Sequence, residues 1–165
     1  MSLKNKRGFS LVEVLVGAAI IVVVIFVLMN AYATFFKAEA GSAKNVEATY
    51  LLEEGMEAAR FIRDTGWTNL TAIGTSTNKY LVLVASTTPN YYVWQATSTN
   101  GLIDGLFTRT IKLDDVKRDA TTQDISGSGV YDANTKKITI TISWPSLATT
   151  SIKTASTYLT NLYGN

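Results

Sequence analysis

The chain has 165 residues, 47% of them hydrophobic, with fifteen Lys and Arg against thirteen Asp and Glu and a formal charge of +2. It contains no cysteine and no histidine, which excludes disulfides, thiol catalysis, Cys- or His-ligated metal centres and every Ser-His or Cys-His arrangement. Three of the basic residues, Lys4, Lys6 and Arg7, precede Phe9, so beyond them twelve basic side chains face thirteen acidic ones and the charge supports no basic nucleic-acid patch.

The first predicted element is a membrane-spanning helix. Val14 to Phe36 is a run of twenty-three residues without a charge. As an α-helix it is about 35 Å long, enough to cross a hydrocarbon core of about 30 Å. With three positive charges ahead of it, the positive-inside rule keeps the N-terminus cytoplasmic and sends everything after Phe36 outside. The competing reading is a secretory signal peptide cut after Ala33, because Ala31-Tyr32-Ala33 imitates a small-residue cleavage site. Against it, the apolar stretch is too long for a typical signal-peptide core, and a signal peptide has no use for Glu13. That glutamate is the single charge between Phe9 and Phe36. A charged side chain in hydrocarbon costs roughly 2.5 to 3.5 kcal/mol on insertion scales, which marks Glu13 as functional and calls for a partner.

Gly8-Phe9-Ser10-Leu11-Val12-Glu13, behind a short basic leader and ahead of a long apolar helix, resembles the N-terminus of type IV prepilins and type II secretion pseudopilins. The resemblance covers roughly residues 4–36; beyond them the chain matches only in general layout. It implies that a prepilin peptidase, a membrane aspartyl enzyme, cuts between Gly8 and Phe9 and N-methylates Phe9. It also implies that Glu13 of an incoming subunit pairs with the Phe9 amine of a neighbour in a growing filament. Breaking such a pair in a low-dielectric helix bundle costs about 3–5 kcal/mol, so it would act as a register lock.

The parts expected from this are a leader at 1–8, a transmembrane and filament-core helix at 9–36 and an extracellular head at 37–165. The expected partners are copies of the chain or related pilin subunits, the peptidase and a pilus assembly platform. The precursor is expected in the inner membrane with its head outside, and the assembled form in a surface pilus or a periplasmic pseudopilus. Two departures from the family pattern are visible. Many type IV pilins carry a glycine and a proline in mid-helix, whereas this chain has neither between Ala18 and Lys37. The β-branched run Ile20 to Ile25 and Asn30 lower helix propensity only modestly. Many pilins also close a C-terminal loop with a disulfide, and here packing and hydrogen bonds must hold it.

The helix is expected to continue to about residue 65. Lys37 to Arg63 lacks proline, and Ala48, Leu51, Leu52, Gly55, Ala58, Ala59 and Ile62 fall on one face. Glu47, Glu54, Glu57 and Arg60 lie largely off that face, which is expected to pack on a sheet rather than bind a partner. Gly66 is expected to end the helix. After Trp67 the pattern becomes strand-like. Lys79 to Ala85 and Tyr91 to Ala96 read as a hairpin across Ser86-Thr87-Thr88-Pro89-Asn90. Phe107 to Leu113 reads as a third strand. Lys137 to Trp144 is the clearest, with Ile138, Ile140, Ile142 and Trp144 on one face. Asp132-Ala133-Asn134-Thr135 reads as a turn before it, and Ile152 to Leu159 as a final edge strand. The fold class is α+β: a long N-terminal helix, membrane span plus amphipathic half, packed on a small antiparallel β-sheet head, pilin-like.

The remaining constellations are weak. Asp104-Gly105, Asp114-Asp115 and Asp132 lack EF-hand spacing and read as solvated loops. Asn69-Leu70-Thr71 is an N-glycosylation sequon, idle in a bacterial chain. Trp67, Trp94 and Trp144 could stack on nucleic acid or sugars, but core and subunit contacts explain them more cheaply. No phosphate loop or paired catalytic carboxylates occur, so neither an enzyme nor a cofactor can be argued. Two classes of function remain: a filament subunit, major or minor pilin or pseudopilin, and a membrane-anchored extracellular module holding a ligand such as DNA or a glycan. Gly8 and Glu13 separate them and favour the filament.

Overall fold

One α-helix, α1 (Leu11–Thr65), takes in both the charge-free run and the amphipathic stretch without a break. It belongs to a computed structural model that describes residues 8, 10–87, 91–146, 149–162 and 164. Lys4, Lys6, Arg7 and Phe9, and Thr88 to Asn90 of the expected hairpin turn, lie outside the described residues. The chain divides into two compact units, residues 1–44 and 45–165. In the first, α1 carries no charge from Val14 to Phe36 and is long enough to cross a membrane, and none of its most apolar stretch is buried. The β-branched run does not interrupt it, and beyond the run Asn30 Nδ2 donates to Phe26 O at 2.9 Å.

In the second unit, the last turns of α1 lie on an antiparallel sheet. The strands are β1 (Asn78–Ala85), β2 (Tyr92–Thr97), β3 (Leu102–Ile103), β4 (Phe107–Arg118), β5 (Ile125–Ser126), β6 (Val130–Ser146) and β7 (Thr149–Thr160). Their order is β2-β1-β4-β6-β7, with β3 and β5 also paired to β4. The expected hairpin is present, Leu81 opposite Ala96 and Ala85 opposite Tyr92. Its join to the sheet is short: β1 pairs with β4 only from Asn78 to Tyr80, and β3 takes over the same edge at Phe107 and Thr108. β7 is the expected edge strand.

Alternation decides which face is buried. Phe107, Arg109, Ile111 and Leu113 of β4 point the same way as Ile138, Ile140, Ile142 and Trp144 of β6, and all are buried. Ala48, Gly55, Ala58, Ala59 and Ile62 of α1 cover them, with Leu51 and Leu52 partly buried beside the core. The small residues bring helix backbone close to the sheet. A Cβ on Gly55 would stand 2.8 Å from Ile140 Cγ2 and 3.0 Å from Arg109 Cδ, so that contact requires glycine. α1 ends where expected: Gly66 has φ +151°, a value side chains rarely tolerate, and its N–H donates to Arg63 O at 3.1 Å.

Three expectations need correction. Trp67 does not open a strand region; Trp67–Thr71 forms a short helix, α2, that buries Trp67 and Leu70 under the core. β4 runs on to Arg118, so Asp114 and Asp115 are strand residues rather than a solvated loop. Asp132 to Thr135 lies inside β6 and does not end it. The local turn chemistry is nevertheless there, because Asp132 Oδ1 accepts the Asn134 N–H at 2.9 Å. The pairing jumps from Asp115–Lys136 to Val116–Asp132, a bulge that absorbs the extra residues.

Candidate processing and assembly site

The site predicted from the sequence lies at the start of α1. Gly8 and Ser10 are outside regular structure and exposed, and the helix begins at Leu11. Glu13 N and Val14 N both donate to Ser10 O, at 3.0 and 3.2 Å, so Ser10 closes the first turn. The Gly8–Phe9 bond therefore precedes the helical hydrogen-bond ladder. Around Gly8 there is open space where a Cβ would stand. Phe9, the other half of the bond, lies outside the described residues.

Glu13 sits in the first turn of α1 and is exposed. Among the described residues it makes no ion pair. A carboxylate there gains about 0.3–1 kcal/mol from the helix dipole. That partial compensation is small beside the cost of placing it in hydrocarbon. The chain thus holds a carboxylate at the head of a bare apolar helix, five positions after an accessible glycine. Residues 3–29 match the family model of the prokaryotic N-terminal methylation motif. This motif is the type IV prepilin and pseudopilin signature, and it supports a type IV pilin-like or pseudopilin protein. Neither the curated proteins nor the solved structures give a match to the chain. The match includes Gly8, Phe9 and Glu13 and stops well short of the head, whose character rests on its own geometry.

In the head, three of the carboxylates weighed in the sequence as ligands are paired with basic side chains. Asp114 pairs with Lys112 at 2.8 Å, Asp115 with Lys136 at 2.6 Å and Asp132 with Arg118 at 2.6 Å. Among the described residues no three Asp, Glu, His or Cys come together as a metal would need. Burial pulls the Lys136 ammonium down, but the hydrogen bonds it donates to Asp115 and Tyr131 outweigh this and hold its pKa above the usual lysine value. The Arg118 guanidinium, with help from Thr135, holds the Asp132 carboxyl below the usual carboxylate range. Trp67 and Trp144 are buried, Trp144 against Phe107 at 5.7 Å between centroids.

Arg109 is the residue sequence reasoning missed. It is only 4% exposed, its Nη1 lies 2.6 Å from Glu54 Oε2, and its guanidinium stacks 4.6 Å over the Trp94 ring. It clamps α1 to β4 and to the β1–β2 hairpin. The signal was available: Arg109 falls two residues from both Phe107 and Ile111, on the inward face.

Proposed function

We propose that the chain is a filament subunit of the type IV pilus kind, made as a precursor, cut between Gly8 and Phe9 and polymerised through its apolar helix. The observation that carries this reading is the combination of the methylation motif with a glycine ahead of the helix and Glu13 in its first turn. In the precursor the span holds the chain in the membrane with residues 37–165 outside. After processing, the Phe9 amine of one copy is the partner that Glu13 of another lacks, and the bare apolar surface of α1 supplies affinity. The chain's role is structural rather than catalytic. A membrane-anchored ligand-binding module shares the span but gives Gly8 and Glu13 nothing to do.

Glu13→Val decides between them. The substitution leaves insertion intact or improved, because a carboxylate leaves the bilayer, and leaves the scissile bond unchanged. Incorporation into fibres nevertheless falls sharply, read by quantitative blotting of sheared fibres against membranes at equal expression. Mass spectrometry of the native N-terminus finds methylated Phe9 in both forms. Equal incorporation of the variant overturns the register lock, and an N-terminus at Thr34 overturns the processing assignment in favour of a signal peptide.

A further inference from the structure

Asn30 is the one amide side chain between Val14 and Phe36. It lies about 7.5 Å along the helix axis from the middle of the span, at residue 25, well inside a hydrocarbon core of about 30 Å. Its Nδ2 donates once, to Phe26 O of its own helix at 2.9 Å. Among the described residues its Oδ1 and its second N–H have no partner. Water would satisfy them at a protein surface; lipid cannot, and each unmet group costs free energy.

The residues around it form a pattern. Counting by sevens from Asn30 gives Val23 and Val16, and three residues beyond Val16 and Val23 come Ala19 and Phe26. This is a seam of period 3.5, with β-branched valines at one position, alanine and phenylalanine at the other and a lone asparagine in the valine register. In parallel helix pairs, β-branched residues at that position favour two strands, and a single asparagine there fixes register. Ala19 and, one turn past Asn30, Ala33 let two backbones approach closely, as intramembrane pairs require. Val16, Val23 and Phe26 are half exposed or more, so the seam is bare in the single chain.

We propose that Asn30 joins two copies of this chain in the bilayer before any filament forms, helix parallel to helix, each amide bonding the other across the seam. The occupant is a second copy because both insert the same way round, which puts the two asparagines at one depth. An amide carries both donor and acceptor, so it is complementary to itself. The inference rests on the membrane-span reading and is independent of filament assembly.

The chain has no cysteine, so a single one reports its own position. The full precursor is expressed in a bacterium that lacks a prepilin peptidase, and membranes are extracted with carbonate and oxidised with copper-phenanthroline. Val23→Cys and Ala33→Cys give disulfide-linked dimers, whereas Ile21→Cys and Leu28→Cys, off the seam, do not. In the Val23→Cys background, Asn30→Leu lowers the dimerisation constant about 10- to 1,000-fold, the effect of losing two intramembrane side-chain hydrogen bonds. Asn30→Gln, which keeps the amide, restores most of it. Linking that is equal around the helix, or unchanged by Asn30→Leu, overturns the pairing and leaves the membrane reading standing. Protein released by carbonate overturns both.

Discussion

A glycine in a helix normally costs about 1 kcal/mol relative to alanine, so replacing it there is a routine route to stability. At Gly55 the expected sign is reversed. The new Cβ meets Ile140 Cγ2 at 2.8 Å, and Ile140 is fully buried in a central strand with no room to yield. Overpacking of this kind costs about 1–3 kcal/mol, which cancels the propensity gain and leaves a net loss of about 1 kcal/mol. Gly55→Ala is therefore expected to lower the urea midpoint of the head, and Gly55→Val to lower it further. A raised midpoint would mean that α1 can lift from β6 without penalty. The Arg109 clamp beside it belongs to the same close approach: its guanidinium has the Glu54 carboxylate on one side and the Trp94 ring on another.

Between β4 and β6, the Arg118–Asp132 pair stands where the register jumps. Because the folded state holds the Asp132 carboxyl below its usual range, the pair stabilises the protein at pH values above the unfolded carboxylate pKa, about 3.9. That contribution is lost as pH falls through the lower folded value. Asp132→Asn is expected to cost about 0.5–1 kcal/mol at pH 7, as partly exposed pairs do, and progressively less below pH 4. Parallel urea curves at both pH values check this; a difference that persists in acid would assign the loss to packing. The same element marks the limit of what the sequence made legible. The Ile-Thr alternation of 137–144 announced a strand because period two has no other use. Its extension to Val130 was hidden because Asp132-Ala133-Asn134-Thr135 carries real turn chemistry, which a bulge can house without ending pairing. α2 was hidden because five residues hold too little periodicity. Arg109 was hidden because a charge is assumed to point outward until a carboxylate across the core is known. At the other end, the span and the Gly8–Glu13 spacing were plain, since hydrocarbon tolerates so few alternatives.

At the scale of the molecule, the head has a core of its own. Residues 37–165, expressed without the span, are expected to be soluble and monomeric with mixed helix and strand by circular dichroism. Ile140→Asp is expected to unfold this fragment, because it buries an unpaired charge at the centre of the sheet. An unfolded parent, or a stable variant, would count against a helix-on-sheet core. The connectivity of that core also sets a schedule. Lys153 Nζ donates to Asn45 O across 108 positions of sequence, and the strands that cover Ala58, Ala59 and Ile62 follow them late in the chain. At ordinary synthesis rates of about 5–20 residues per second, the interval between such partners is roughly 5–20 s, whereas a helix forms within about a microsecond. Until β4 and β6 have both emerged the apolar face of the amphipathic half of α1 is incompletely covered, and a chain arrested before Ile138 has emerged is a ready client for chaperones.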